Sequence, residues 1–271
     1  MDALVIAIDW SSAVQGAKKK IWLAEAIDGR LVRLESGRDR DAVAAHLIAH
    51  AGAHPETVIG LDFAFSLPAW FVRERGWGSA HALWASADRD ADRWLAAAKP
   101  PFWGKPGTRK PALIEHFRRT ELDAPVTAGI APKSVFQIGG AGSVGTGSLR
   151  GMRLLHRLHD AGFSIWPFDP PGRPRVVEIY PRLLTGPVVK KSAEARAVYL
   201  AGRYPDLDSE FASVAASGED AFDAAVSALV MAAHLPRLIG LPAAADETAR
   251  LEGLIWSPPS ASDRPRRMPS T

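Results

Sequence analysis

The sequence predicts an α/β fold built on a mixed sheet, and three observations lead there. Short continuous apolar runs at Leu4–Ile8, Val58–Leu61 and Val176–Ile179, the last broken by one glutamate, read as strands buried on both faces. Asp28-Gly29 between two further strand-like runs reads as a tight hairpin. After these strands, helical and strand patterns alternate, as in α/β chains.

Taken in order, the first strand runs from about Leu4 to Asp9. Lys20–Ala26 and Arg30–Leu34 flank the hairpin turn, so the first 34 residues form a three-stranded meander. Asp41–Ala51 is alanine-rich and helical, with Gly52 as its stop. Thr57–Asp62 is the next strand. The helix before it makes a crossover, which pairs this strand in parallel with the first. Ala69–Arg75 and Ser79–Ala98 read as helices, and three prolines with two glycines make Lys99–Lys110 a loop. A glycine-rich stretch within Ser134–Gly147 leads into a helix over about Leu149–Ala161. Strands are expected at Phe163–Trp166 and Val176–Tyr180, and helices at Ala193–Tyr204, Asp208–Ala216 and Glu219–His234. Residues 1–256 then form one domain with a helical insertion at about 66–134. Residues 257–271, rich in Pro, Ser and Arg, are expected to be a disordered tail carrying Arg264, Arg266 and Arg267.

Composition narrows the function. The absence of cysteine excludes disulfides, thiolate metal sites and cysteine nucleophiles, and suits a cytoplasmic protein. No apolar run reaches the 18 residues of a membrane span, and no signal peptide is visible. A net charge of +3 does not by itself imply nucleic acid.

The chemistry lies in the acids. Asp9 and Asp62 each end an apolar strand, at the sheet rim where open α/β folds bind ligands. Parallel neighbours lie about 4.8 Å apart, so the two could share an ion. The alternative for each is an aspartate that caps the following turn. Glu178 interrupts a strand that Pro181 ends, which a half-exposed strand would also explain. Ser217 to Asp220 fits a capping box. Asp223 shares a face with Asp220 and enters a helix that is apolar almost all round, so it needs a partner. Acids gathered at one rim repel one another, and a divalent cation is the usual remedy.

Other features are weaker. The glycine run contains Gly140-x-Gly142-x-x-Gly145 but no P-loop lysine, and a plain loop with an N-capping Ser148 explains it as well. Lys99, Lys105, Arg109 and Lys110 with Phe102 and Trp103 combine the cations and aromatics that single-stranded nucleic acid needs, although such a loop is usually solvated surface. His46 and His50 stand at helical spacing without the glutamate of a zinc-protease motif, and His156 and His159 read as surface residues.

The segments VIAIDWSS, VIGLDFAFSLP, VVEIYPRLLTG and GEDAFDAAVSALVMAAH, spread over residues 5–234, together resemble the family catalogued as domain of unknown function 429. The resemblance implies an RNase H-like fold and a nuclease with an active-site layout like that of RuvC-type Holliday-junction resolvases. By position it makes Asp9 the first-strand metal ligand and Asp62 the acid after the fourth strand. Asp220 and Asp223 become the paired acids of the last helix, and Glu178 falls in a Glu-x-Tyr-Pro block. A nuclease label inferred from fold is an analogy.

The expectation is therefore hydrolysis of nucleic-acid phosphodiesters by a two-metal mechanism. Asp9, Asp62, Asp220 and Asp223 would hold Mg²⁺ or Mn²⁺. Glu178 would be a further ligand or would orient one, and Lys99, Trp103, Lys105, Arg109 and Lys110 would contact the nucleic acid. Two alternatives stand beside it: a phosphotransferase or nucleotide hydrolase of the actin and sugar-kinase type, and a nucleic-acid-binding or scaffold protein without turnover.

Overall fold

Alternating apolar runs and helical stretches assemble into one mixed sheet covered on both faces, in a computed structural model that describes residues 4–112, 114–140 and 142–259. The expected tail falls outside the described residues from position 260 onward.

Strand β1 (Leu4–Asp9) leads through a short helix α1 (Ala17–Lys20) to β2 (Trp22–Ile27) and β3 (Arg30–Glu35), all antiparallel. Asp28 and Gly29 turn the hairpin with φ of 51° and 76°, the two left-handed residues that a type I′ turn demands. Helix α2 (Arg40–Ala53) is capped by Asp39, which accepts from the Ala42 amide at 2.9 Å. It runs through Gly52 and ends at His54. One glycine costs a helix about 1 kcal/mol, too little to stop it without a left-handed cap.

Strand β4 (Val58–Leu61) pairs with β1 in parallel, as the crossover requires. Helices α3 (Ala69–Glu74), α4 (Ala80–Ala97), α5 (Arg119–Asp123) and α6 (Gly145–Asp160) follow. Then come β5 (Ser164–Ile165) and β6 (Arg175–Ile179), and after them α7 (Pro181–Thr185), α8 (Ala193–Arg203), α9 (Ser209–Ser217) and α10 (Glu219–Ala233). The chain closes with α11 (Leu235–Ile239), α12 (Glu247–Glu252) and β7 (Ile255–Trp256). The sheet order is β3-β2-β1-β4-β6-β5, with β7 also on β6. Strands β5 and β7 share one edge of β6: Ser164 and Ile165 pair with Arg175 and Val176, and Ile255 and Trp256 with Glu178 and Ile179.

Strand alternation divides the core. Ile6, Ile8, Ile59, Leu61 and Val176 face the side packed by α2, α4 and α6. Val5, Ala7, Val58, Val177 and Ile179 face α10. Helix α4 packs along α6 inside the first of these layers, so the segment between β4 and β5 builds the core of the sheet.

The glycine-rich run has a packing role. A Cβ on Gly145 would lie 2.1 Å from the Val135 carbonyl oxygen, and one on Gly139 would lie 2.4 Å from that of Gly104. Helix α6 starts inside the run at Gly145, four residues before its expected start at Leu149. Ser148 therefore lies within the helix. Its hydroxyl donates to the Val144 carbonyl at 3.0 Å and accepts from the Ala64 amide at 3.1 Å, so it does not cap.

Candidate metal and phosphate site

The sheet brings its acids to one edge. Asp9 ends β1, and the Asp62 amide donates to the Ile8 carbonyl at 3.1 Å, so the two aspartates close adjacent parallel strands. By alternation Asp9 continues the Val5–Ala7 face and Asp62 the Val58–Gly60 face, both toward α10. Gly60 lets α10 approach, since a Cβ there would lie 2.5 Å from Met231 Sδ. The first turns of α10 supply Asp220, half-buried, and Asp223, buried. The N-cap of α10 is Gly218, and Ser217 donates instead to the Val214 carbonyl at 2.7 Å, so the expected capping box does not form. That leaves Asp220 and Asp223 with no role in capping to account for them.

Lys190, which sequence reasoning passed over, stands among these acids. Its ammonium pairs with Asp223 Oδ2 while Asp223 Oδ1 is buried without a hydrogen-bond partner. Burial, then the charges of Asp62, Asp223 and Asp220, push the Asp9 carboxyl well above its ordinary value, against the pull of Lys190. Burial and then Asp223 push Asp62 up to about 8, again opposed by Lys190. Asp223 is raised by burial against Lys190 and Arg182, and Asp220 by burial and then Glu219. Lys190 thus acts on all four carboxyls, and Lys20 acts on Asp220 as well. The acids do not yet meet at a point. Among the described residues, the trios of carboxylate or imidazole donors within 4.8 Å of one another are Glu25–His46–His50 and His81–His159–Asp169.

Glu178 takes the opposite direction. It follows Val176 on the other face of β6, away from α10. Arg118 grips it with two hydrogen bonds, Nη2 to Oε1 at 2.5 Å and Nη1 to Oε2 at 2.8 Å. Oε2 also accepts from the Phe65 amide at 2.8 Å. Arg118 Nε donates to Glu121 Oε1 at 3.0 Å, and Arg118 Nη1 also reaches the Glu252 carbonyl at 2.9 Å. Burial alone would lower the Arg118 pKa, but Glu178 and Glu121 hold it above the ordinary value. Both oxygens of Glu178 are thus engaged, and it braces the end of β4 through Phe65.

A cleft opens over this edge. Asp62, Glu178, Tyr180, Trp10, Ser12 and Lys133 are among the residues that line it. Ser143, Val144 and Gly147, from the start of α6, also line it, and no side chain caps that helix. The Gly145 amide that opens α6 donates to the Gln137 carbonyl at 2.9 Å, and the helix N-terminus still favours an anion. The loop after Asp9 is fixed from α6 and α2: Trp10 Nε1 donates to the Gly147 carbonyl at 3.0 Å, Arg150 to Ser12, and Arg40 to Ser11 and Ala13.

The expected nucleic-acid loop is only partly free. Phe102 is in the core, and Trp103 pairs with Gln137 as a β-bridge, its ring packed on His116 at 4.9 Å. Lys105 donates to the Leu95 carbonyl at the end of α4, and Lys110 sits 5.4 Å from the Trp103 ring centre. Lys99, Arg109 and Lys110 are exposed. Two cations line the cleft: Arg118, which Glu178 and Glu121 hold, and the exposed Lys133, whose place beside it no local sequence signal foretells.

No protein family, curated protein or solved structure matches the chain.

Proposed function

We propose that the protein is a divalent-metal-dependent phosphodiesterase acting on nucleic acid. The observation that supports it most is the set Asp9, Asp62 and Asp223, held at elevated pKa around the Lys190 ammonium, with Asp62 lining the cleft and one Asp223 oxygen buried and unpartnered. Hard oxygen donors of this kind suit Mg²⁺ or Mn²⁺ and fit no softer metal better. Asp9, Asp62 and Asp223 would hold the metal, with Asp220 at the rim. When bound, two such ions stabilise the attacking and leaving oxygens of an in-line displacement. Among the described residues no three of these acids bring oxygens within 4.8 Å of one another, and Lys190 occupies Asp223 Oδ2, so metal binding would draw the acids together and displace Lys190 from Asp223.

The chain's own groups then divide the work. Lys133 and the open end of α6 draw the phosphate into the cleft. Glu178, locked by Arg118, keeps the segment after Asp62 in place. Nucleic acid as the substrate rests on the family resemblance and on the exposed Lys99, Arg109 and Lys110. The glycine run at the head of α6 also favours a second reading, a nucleotide hydrolase.

The test is to incubate metal-stripped protein with single-stranded, duplex and branched DNA and RNA, and separately with nucleoside triphosphates. Cutting is expected with Mn²⁺ or Mg²⁺, not with chelator, and not in Asp9→Asn. Triphosphate hydrolysis without cutting would move the assignment to the second reading. Equal cutting by Asp9→Asn, or none of either activity, would overturn the carboxylate mechanism.

A further inference from the structure

A second cluster lies outside the cleft and shares no residue with it. His81 comes from the first turn of α4, His159 from the last turn of α6, and Asp169 from the connection after β5. Both imidazoles turn Nε2 toward the same oxygen: His81 Nε2 is 2.8 Å from Asp169 Oδ1 and His159 Nε2 is 3.9 Å from it. The rings are 4.3 Å apart at their centres. Tetrahedral zinc with bonds of about 2.0–2.1 Å sets its donor atoms about 3.3–3.4 Å apart. The two measured distances straddle that value, and the three donor atoms all lie within 4.8 Å of one another.

The supporting contacts are those of a metal site. Asp169 Oδ2 accepts from the Ile165 amide at 2.8 Å, which aims Oδ1 at the histidines. Asp160 Oδ1 lies 3.9 Å from the second ring nitrogen of His159, and the edge of Trp84 walls the His81 ring at 4.9 Å. The other trio, Glu25–His46–His50, has the Arg33 guanidinium 3.1 Å from its carboxylate, a cation that an incoming ion would face. Among the described residues, the ion-pair partners of Asp169 are the two histidines.

We propose that His81, His159 and Asp169 form a three-ligand site for a zinc-class divalent metal, with water in the fourth position, which ties α4, α6 and the β5–β6 connection together. Two imidazoles and one carboxylate leave one coordination position open. Oxygen-preferring Mg²⁺ would not compete for it.

The test titrates metal-stripped protein with Co²⁺ in millimolar Mg²⁺ and reads the visible ligand-field bands. The expected result is one equivalent of Co²⁺ with the intense bands of four-coordinate geometry, displaced by Zn²⁺. His159→Gln, at a half-exposed position, should lose at least tenfold in affinity while its far-UV circular dichroism stays native. His81→Gln should do the same, and Asp62→Asn should bind as the wild type does. Should His81→Gln fail to fold, His159→Gln still decides. Absence of stoichiometric Co²⁺, undiminished binding in His159→Gln, or loss in Asp62→Asn instead would each overturn the site.

Discussion

Lys190 is the cation whose charge acts on all four carboxyls, and its replacement is the most informative. Lys190→Met keeps the stem and removes the charge. In metal-free protein Asp223 then keeps its desolvation without a partner, a cost of about 1–3 kcal/mol, limited because the carboxyl can take up a proton instead. Thermal melts should show a lower midpoint for Lys190→Met without metal and a smaller deficit in excess Mn²⁺, which supplies the missing charge. A deficit indifferent to metal would mean that the lysine is only a structural partner. Asp9 and Asp62 were legible in the sequence, because a carboxylate closing a buried apolar strand is costly there unless a cation or donor meets it. Lys190 was not, because its role depends on where the segment after α7 crosses the sheet edge. Glu178 was legible as an oddity. Its direction was not, since a strand buried on both faces does not reveal which parity faces α10, and its partner Arg118 lies 60 residues away.

Among the elements, α6 is packed so closely that two of its glycines have opposite meanings. A Cβ on Gly151 would meet the Phe63 ring at 2.5–2.6 Å, and a ring held beside Asp62 has little room to yield. Gly151→Ala should cost about 1–3 kcal/mol despite alanine's better helix propensity. A Cβ on Gly147 meets Ser12 and Trp10 at 3.6 Å, an ordinary contact. Gly147→Ala should be neutral or stabilising by up to about 1 kcal/mol. Denaturant melts of the two variants give the comparison, and equal behaviour would mean that α6 shifts freely over Phe63. The meander, α2, β4 and the long helices were readable from periodicity and turn residues. Helices α5, α7, α11 and α12 and strand β7 were not, because each has only two to six residues and owes its conformation to tertiary contacts.

At the scale of the whole molecule the acid cluster links stability to pH. Asp62 has its folded pKa raised to about 8, from an ordinary value of 3.8. Such a group holds its proton more tightly when folded, so its contribution is complete below about pH 4 and is lost as pH rises through 8. Metal-free protein should therefore lose thermal stability between pH 5 and 8 by more than Asp62→Asn does. Saturating Mn²⁺ should remove the difference by displacing the protons. Equal pH slopes in the two proteins would show that Asp62 is ionised throughout. The shared edge of β6 bears on a different matter, the birth of the chain. Glu252 receives the Ala69 and Arg119 amides at 2.7 and 2.6 Å, Thr120 receives the Ile255 amide, and β7 covers the half of β6 that carries Glu178. Translation at about 5–20 residues per second makes those closing residues roughly 4–15 s later than Glu178. Throughout that interval the nascent sheet has an open edge beside Glu178, and Arg118 lacks its carbonyl partner. A polypeptide halted at position 246 should accordingly stay protease-sensitive or chaperone-bound, while one reaching Pro259 folds on release.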